Sequence, residues 1–185
     1  MGHRDSAASA ANLRKSLASQ SKAELVKVLL ELAEADRKVL RQLTSQFEVA
    51  AAPKELIAAT RQAITDATDF DEREINYNFD YDYAAYETVK RNFAKLIALD
   101  DVRTAMELAL GLMKQGSHQV EMSDEGLMTD DIEDCLNVVI QALKKSDLPP
   151  KEIVAWCSAM IANDSVGFIA NDELQALQKR FQAAT

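Results

Sequence analysis

The chain has 185 residues, of which 48% are hydrophobic and only five are glycine and three proline. This composition is typical of one globular domain with long helices and excludes a disordered chain. The formal net charge is −9: residues 1–41 hold eight Lys and Arg against five Asp and Glu, and the rest hold thirteen against twenty-five. An acidic body repels a phosphate backbone, so we expect no nucleic acid among its partners.

No apolar run reaches the roughly 18 residues of a membrane-spanning helix, and the amino terminus lacks the apolar core of a secretory signal. We therefore expect no membrane contact and a cytoplasmic location. Residues 1–20 are rich in Ala and Ser and predict a flexible or weakly helical arm. Residues 21–185 are expected to form a single helical domain.

The first strong helix signal is a capping box, in which Ser21 precedes Glu24 by three positions. Apolar residues then recur at the spacing of one helical face, at Leu25, Val28, Leu29 and Leu32. Asp36 is expected to begin a second helix directly behind the first. The two helices would then form either a tight helical hairpin or one kinked helix.

Further helices are predicted from helical spacing along the rest of the chain, the third of them with Pro53 in its first turn. Asp100 or Asp101 is expected to cap the helix that begins near Val102, and Gly116 is expected to end it, with a polar loop over 117–126. Asn171 is expected to cap the last helix. The predicted fold is all-α, an irregular array of about seven or eight antiparallel helices in hairpins. Whether these hairpins stack as a solenoid stays open.

One segment near 69–83 departs from helical spacing and is expected to be extended. Apolar and aromatic residues alternate with Asn and Asp over 75–83, and all four tyrosines of the chain lie within 77–86. Three interpretations remain open: a connection that covers the seam between helix pairs, a recognition surface for a basic protein, or an edge strand that pairs with another chain, as in a homodimer. The candidate partner-binding residues are Asp71, Glu72, Tyr77, Phe79, Asp80, Tyr81 and Asp82.

Motifs of nucleophilic catalysis, phosphate binding and dinucleotide binding do not occur in the sequence, so we expect no enzyme, no catalytic residue and no cofactor. Cys135 and Cys157 lie in apolar stripes and are expected to be buried, reduced thiols. The two histidines, His3 and His118, are far apart, and neither has a metal ligand at a suitable spacing. We expect no metal site.

The stretch around Gly167 matches half of a calcium-binding loop. Asp164 and Glu173 occupy ligand positions, but Ala162 and Val166 occupy two others and supply no side-chain oxygen. The expected structure is a polar turn between helices, with Phe168 and Ile169 filling the gap between them.

From about Lys54 onward, several short motifs follow one another in a fixed order. They are Asp82-Tyr-Ala-Ala-Tyr86, Ala105-Met-Glu-Leu-Ala-Leu110, Ser123-Asp-Glu-Gly126, Ile132-Glu-Asp-Cys-Leu136 and Asn163-Asp-Ser-Val-Gly-Phe168. This order resembles a helical region of unknown function found in bacterial proteins that also carry SWIM-type zinc fingers. The resemblance implies a packed array of helical hairpins that acts as an accessory or interaction module. The cysteine-histidine signature of the finger is absent, so its zinc and nucleic-acid roles are not implied.

Together these features predict a non-enzymatic, adaptor-like or scaffold-like interaction domain that binds a protein partner through its acidic and aromatic residues. The alternative is a small-molecule-binding or enzymatic helical bundle with a carboxylate-lined pocket.

Overall fold

A computed structural model of the chain describes residues 13–46, 52–70, 82–123 and 129–183. Within these ranges all regular structure is α-helical and no strand occurs, which confirms the predicted all-α class. The chain divides into two compact units, residues 1–49 and residues 50–185, called unit 1 and unit 2 below. That residues 1–20 form an arm and residues 21–185 a single helical domain stays a prediction.

The described residues of unit 1 form three helices: α1 (residues 13–18), α2 (Lys22–Ala35) and α3 (Arg37–Gln46). The predicted capping box starts α2, because the Ser21 hydroxyl accepts from the Glu24 amide at 3.2 Å and the Glu24 carboxylate accepts from the Ser21 amide at 3.0 Å. Asp36 alone separates α2 from α3, and its carboxylate accepts from the Lys38 amide at 2.7 Å. Asp36 is extended, with φ −135° and ψ 115°, so the two helices are distinct.

Within the part of unit 2 that the structure describes, six helices surround a continuous hydrophobic core. The helices are α4 (Pro53–Thr68), α5 (Tyr83–Ala98), α6 (Val102–Glu121), α7 (Asp130–Leu143), α8 (Pro150–Asn163) and α9 (Asn171–Gln182). The central helix is α6, which packs against α4, α5, α7 and α8. The largest fully buried side chains include Phe93, Leu96, Leu112, Met113, Leu136, Ile140, Ile153, Met160 and Leu174.

Two contacts fix the direction of α4 relative to α6. Arg61, midway along α4, pairs with Glu107 in the first half of α6 at 3.1 Å, and the Thr68 hydroxyl at the end of α4 donates to the Gln115 side chain in the second half of α6 at 3.2 Å. These helices are therefore parallel.

Helix α8 is parallel to α6 as well, since Arg103 pairs with Glu152 near their starts and the Ser117 hydroxyl donates to the Asn163 carbonyl at 3.1 Å near their ends. The ends of α4, α6 and α8 thus lie at one end of unit 2, together with the starts of α5 and α7.

The prediction that Gly116 ends a helix is wrong. Helix α6 continues through Gly116 to Glu121, and residues 117–121 of the predicted loop are helical. A Cβ atom at Gly116 would lie 2.8 Å from Cδ1 of the buried Ile132 side chain, so glycine here permits close packing of α6 against α7. Residues 124–126 of the predicted loop lie outside the described residues.

The prediction that Asn171 caps the last helix is wrong by one position. The cap is Ala170, which has φ 49°, and Asn171 is the first residue of α9. A non-glycine residue in this left-handed region is held there by its neighbours, and Ala170 is buried against the core.

Over the ranges that the structure describes, no helix has both the length and the apolar character needed to cross a bilayer.

Candidate functional site

Six of the seven candidate partner-binding residues, all within 71–81, lie outside the described residues. They are Asp71, Glu72, Tyr77, Phe79, Asp80 and Tyr81. The seventh, Asp82, is the N-cap of α5, and its carboxylate accepts from the Ala85 amide at 3.1 Å. The helix that follows the segment therefore begins at Tyr83. The three interpretations of residues 75–81 stay open.

The two helices on either side of segment 71–81 are linked by one side chain of α6. Gln119 is buried, with 2% of its surface exposed. Its side-chain oxygen accepts from the Tyr86 hydroxyl at 2.9 Å, and its side-chain nitrogen donates to the Ala67 carbonyl at 3.2 Å. Because Ala67 is near the end of α4 and Tyr86 is in the first turn of α5, Gln119 brings both attachment points to the same place.

The last described residue before the segment, Phe70, reinforces this attachment. Its ring packs partly into the core, and its centroid lies 5.9 Å from that of the His118 ring, at an interplanar angle of 59°. His118 in turn places Nδ1 3.6 Å from a carboxylate oxygen of Glu121. Phe70, the residue directly before segment 71–81, thus lies against the last turns of α6.

Carboxylates gather around these attachment points. We call the acidic end the surface made by the last turns of α4 and α6 and the first turns of α5 and α7. Its carboxylates are Asp66, Asp69, Asp82, Glu121, Asp130, Asp131 and Glu133. Segment 71–81 adds four more acidic residues against one arginine. Because these groups share one end of unit 2, they create a negative potential there.

One lysine beside the acidic end forms an ion pair between two helices. Lys90 of α5 lies 2.6 Å from a carboxylate oxygen of Asp134 in α7, and this hydrogen bond raises the pKa of the lysine. Both side chains are substantially exposed, so the pair contributes little stability but joins the two helices that start at this end.

Both cysteines are free and buried, as predicted. Burial raises the pKa of Cys135 to about 12 and that of Cys157 to about 11. The Cys135 thiol donates to the Tyr86 carbonyl at 3.3 Å. Thiols with such pKa values stay protonated at neutral pH and are poor nucleophiles, so both act as core side chains.

The half calcium loop is a turn closed by its own carboxylate. The two oxygens of Asp164 accept from the Val166 amide at 3.1 Å and the Ile169 amide at 2.8 Å. Ile169 fills the gap between α8 and α9, as predicted, whereas Phe168 is 58% exposed and does not. Across the ranges the structure describes, no group of three or more His, Cys, Asp or Glu side chains is placed to hold a metal ion.

Unit 1 carries a shallow groove of about 350 Å³. Glutamates line part of it, so it is a candidate for the carboxylate-lined pocket of the alternative, small-molecule-binding function. Its charged side chains already interact with one another or with the backbone: Glu24 belongs to the capping box, and Lys27 lies 3.8 Å from Glu31. The Ser21 hydrogen bonds lower the pKa of Glu24. The groove is lined by Leu17, Gln20, Glu24, Leu25, Lys27, Val28 and Glu31.

A scan against protein-family models gives no match, and searches of the curated proteins and of the solved structures likewise return none. The resemblance to the helical region of proteins with SWIM-type fingers therefore stays a proposal. The function has to be argued from the residues of this chain.

Proposed function

We propose that this chain is a cytoplasmic, non-enzymatic protein-interaction domain of the adaptor or scaffold type. Its binding surface is segment 71–82 together with the acidic end, and its partner is a protein with a basic surface. The observation that carries the proposal is the concentration of two tyrosines, Tyr77 and Tyr81, and five carboxylates in segment 71–82, whose flanking helices are linked by Gln119.

Tyrosine and carboxylate supply two different parts of such a surface. A tyrosine ring offers a large contact area at a low cost in conformational entropy, and its hydroxyl binds polar groups at the rim. Carboxylates attract a basic partner and orient its approach, which raises the association rate more than the final affinity. We assign the central contacts to Tyr77, Tyr81 and Asp80, with the acidic end supplying the long-range field.

The attachment of the segment lowers the cost of binding. Gln119 and the Phe70 ring fix the entry and exit of the segment on the packed helices of unit 2. A surface whose ends are already held loses less conformational entropy when a partner binds. A free peptide of the same sequence is therefore expected to bind the partner more weakly than the whole chain does.

The resemblance to the helical region beside SWIM-type zinc fingers supports an accessory role of the same kind. The signature of the zinc finger is absent from this sequence, so the resemblance supports an interaction with another protein and not the binding of zinc or nucleic acid. A second candidate function, binding of a small molecule, draws on the groove beside Leu25, because glutamates line it.

The experiment compares protein capture by the immobilised full chain and by its Tyr77→Ala/Tyr81→Ala variant. Leu99→Ala is the matched control, since Leu99 is an exposed apolar residue at the opposite end of α5. Trp156 is the single tryptophan and is buried in unit 2, so its fluorescence reports whether each variant keeps its fold.

We expect the wild type and the control to capture the same basic proteins from a cell lysate, and the double variant to lose them. The captured set should also shrink at high salt, because the field of the acidic end is screened. Identical captured sets for wild type and double variant would overturn the proposed surface.

A further inference from the structure

Phe168 is a large apolar side chain that the fold leaves in contact with solvent. It lies in the turn between α8 and α9, and 58% of its surface is exposed. The neighbouring Ile169 is fully buried and fills the gap between the two helices. The Phe168 ring therefore contributes little to the core, and more than half of it is open to another molecule.

The turn holds this ring in a fixed position. The Asp164 carboxylate accepts from the Val166 amide at 3.1 Å and from the Ile169 amide at 2.8 Å, so the backbone on both sides of Phe168 is tied to the same side chain. Directly behind the turn, Ala170 is buried against the core. A side chain that is already positioned loses less conformational entropy when a partner binds.

The turn belongs to the same end of unit 2 as the acidic end. The Ser117 hydroxyl donates to the Asn163 carbonyl at 3.1 Å, which places the end of α8 beside the last turns of α6. Helix α9 starts from this turn, and its first turn carries Asp172 and Glu173, both exposed. Among the described residues, neither carboxylate has a hydrogen-bond or ion-pair partner. Both are therefore free to pair with a cation of another molecule.

The exposed aromatic side chains of unit 2 are concentrated at this end. Of the seven aromatic residues that the structure describes in unit 2, two are exposed: Phe168, and Tyr83 at the start of α5, which is 56% exposed. A single exposed apolar residue is normal on a soluble protein. Two exposed rings at the one end that also gathers carboxylates indicate a surface for binding. The other five aromatic residues are Phe70, Tyr86, Phe93, Trp156 and Phe181.

An aromatic ring beside unpaired carboxylates suits an arginine side chain. The guanidinium group is planar, so it stacks on the face of a ring while its N–H groups donate to carboxylates. The lysine ammonium is more strongly hydrated and has no planar face to stack. An apolar partner would remove the carboxylates from water without pairing them, which costs free energy.

We propose that the turn between α8 and α9 is a second contact point for the basic partner. Phe168 receives an arginine side chain of that partner, and Asp172 and Glu173 pair with its charge. This inference rests on the proposed function, because it names the chemistry of the partner that the acidic end attracts. The binding surface then extends from segment 71–82 and the start of α5 across the end of unit 2 to the start of α9.

The probes are three labelled peptides of about twelve residues, with the repeat Arg-Gly, Lys-Gly or Gln-Gly, titrated into the full chain at about 50 mM salt, where charge attraction is weakly screened. Fluorescence anisotropy measures the dissociation constants. We expect the wild type to bind the arginine peptide more tightly than the lysine peptide, and Phe168→Ala to weaken the arginine peptide by about 3- to 10-fold. Phe168→Leu keeps an apolar side chain without a ring and should weaken it as much.

Leu99→Ala is the matched control, since Leu99 is 57% exposed at the opposite end of unit 2, and it should bind the arginine peptide as the wild type does. Equal binding by wild type and Phe168→Ala overturns the proposal. So does a wild type that binds no peptide or does not prefer arginine to lysine, or a Phe168→Leu variant that binds as tightly as the wild type.

Two further readouts separate the possible reasons for failure. Phe168→Ala should leave the urea midpoint unchanged, because the ring is exposed. A lower midpoint would show that another part of the chain covers the ring, which overturns the proposal. Protein capture by the Tyr77→Ala/Tyr81→Ala variant tests the proposed function separately. If that variant loses the captured proteins while Phe168→Ala keeps them and the arginine peptide, the proposed function stands and the role of Phe168 fails.

Discussion

The hydroxyl of Tyr86 donates a hydrogen bond of 2.9 Å to the side chain of Gln119, across 33 residues of sequence. Both side chains are buried, and the same glutamine also donates to the end of α4. This pair holds the start of α5 against the last turns of the central helix.

We expect Tyr86→Phe to lower the free energy of unfolding by about 1–2 kcal/mol, because it removes one buried hydrogen bond and leaves the Gln119 oxygen without that donor. Gln119→Leu should cost more, roughly 2–4 kcal/mol, since both the Tyr86 hydroxyl and the Ala67 carbonyl lose a partner. Urea unfolding followed by Trp156 fluorescence measures both values.

The double variant Tyr86→Phe/Gln119→Leu is the control for this pair. If the two side chains act through their shared bond, the double variant costs less than the two single costs added together. Strict additivity would show that the two residues contribute independently and that the bond does not join the helices.

Two glycines of α6 are expected to respond in opposite ways to alanine. Gly116→Ala should destabilise the chain by about 1–3 kcal/mol, because the new methyl group would lie 2.8 Å from Cδ1 of the buried Ile132 side chain. Gly111→Ala meets no atom within 4 Å and should stabilise the chain by about 0.5–1 kcal/mol through helix propensity. Thermal unfolding of both variants checks the prediction, and a neutral or stabilising Gly116→Ala would contradict the close packing of α6 on α7.

Gly116 also illustrates why the sequence predicts the helices better than their ends. Local signals such as the Ser21–Glu24 capping box and Pro53 in a first turn were sufficient, and both are confirmed. The role of Gly116 depends instead on Ile132, which is close in space but 16 residues further along the chain. A pattern of neighbouring residues carries no information on such a contact, so glycine was interpreted as a helix end.

The stability of the chain should fall as the pH rises above about 9. The ordinary thiol pKa is 9.0, and burial raises that of Cys135 to about 12. Between these values the unfolded chain has lost a proton that the folded chain still holds, so the free energy of unfolding decreases with pH, while below pH 9 this contribution is fully present. Urea unfolding at a series of pH values measures the slope.

Cys135→Ala is the control for this pH dependence. The variant removes the titrating thiol, so its unfolding free energy should decline less steeply than that of the wild type between pH 9 and 12. Parallel slopes for wild type and variant would show that Cys135 is not shielded from water.

Calcium is expected to leave the stability of the chain unchanged. Both oxygens of Asp164 already accept backbone amides of the turn, and the equivalent ligand positions 162 and 166 hold Ala and Val. Asp164→Ala should therefore destabilise the turn by about 1–2 kcal/mol with or without calcium. A rise in melting temperature on adding calcium to the wild type but not to Asp164→Ala would contradict this account.

The acidic and aromatic residues were found from the sequence because their period of two interrupts helical spacing. Their attachment was not predictable, since it depends on Gln119, a polar residue that helical spacing does not mark as buried. The exposure of Phe168 was missed for a related reason. The sequence marks Phe168 and Ile169 alike as apolar, but it cannot say which of the two the turn directs into the core.

The most direct test of the central claim is amide hydrogen exchange of the chain, free and bound to a partner captured by the wild type. We predict that binding protects residues 71–82 and the first turn of α5, and leaves the second half of α9 and the end of α5 unchanged. Protection confined to the second half of α9 or to α2, with 71–82 exchanging as in the free chain, would contradict the assignment of the binding surface to the acidic and aromatic segment.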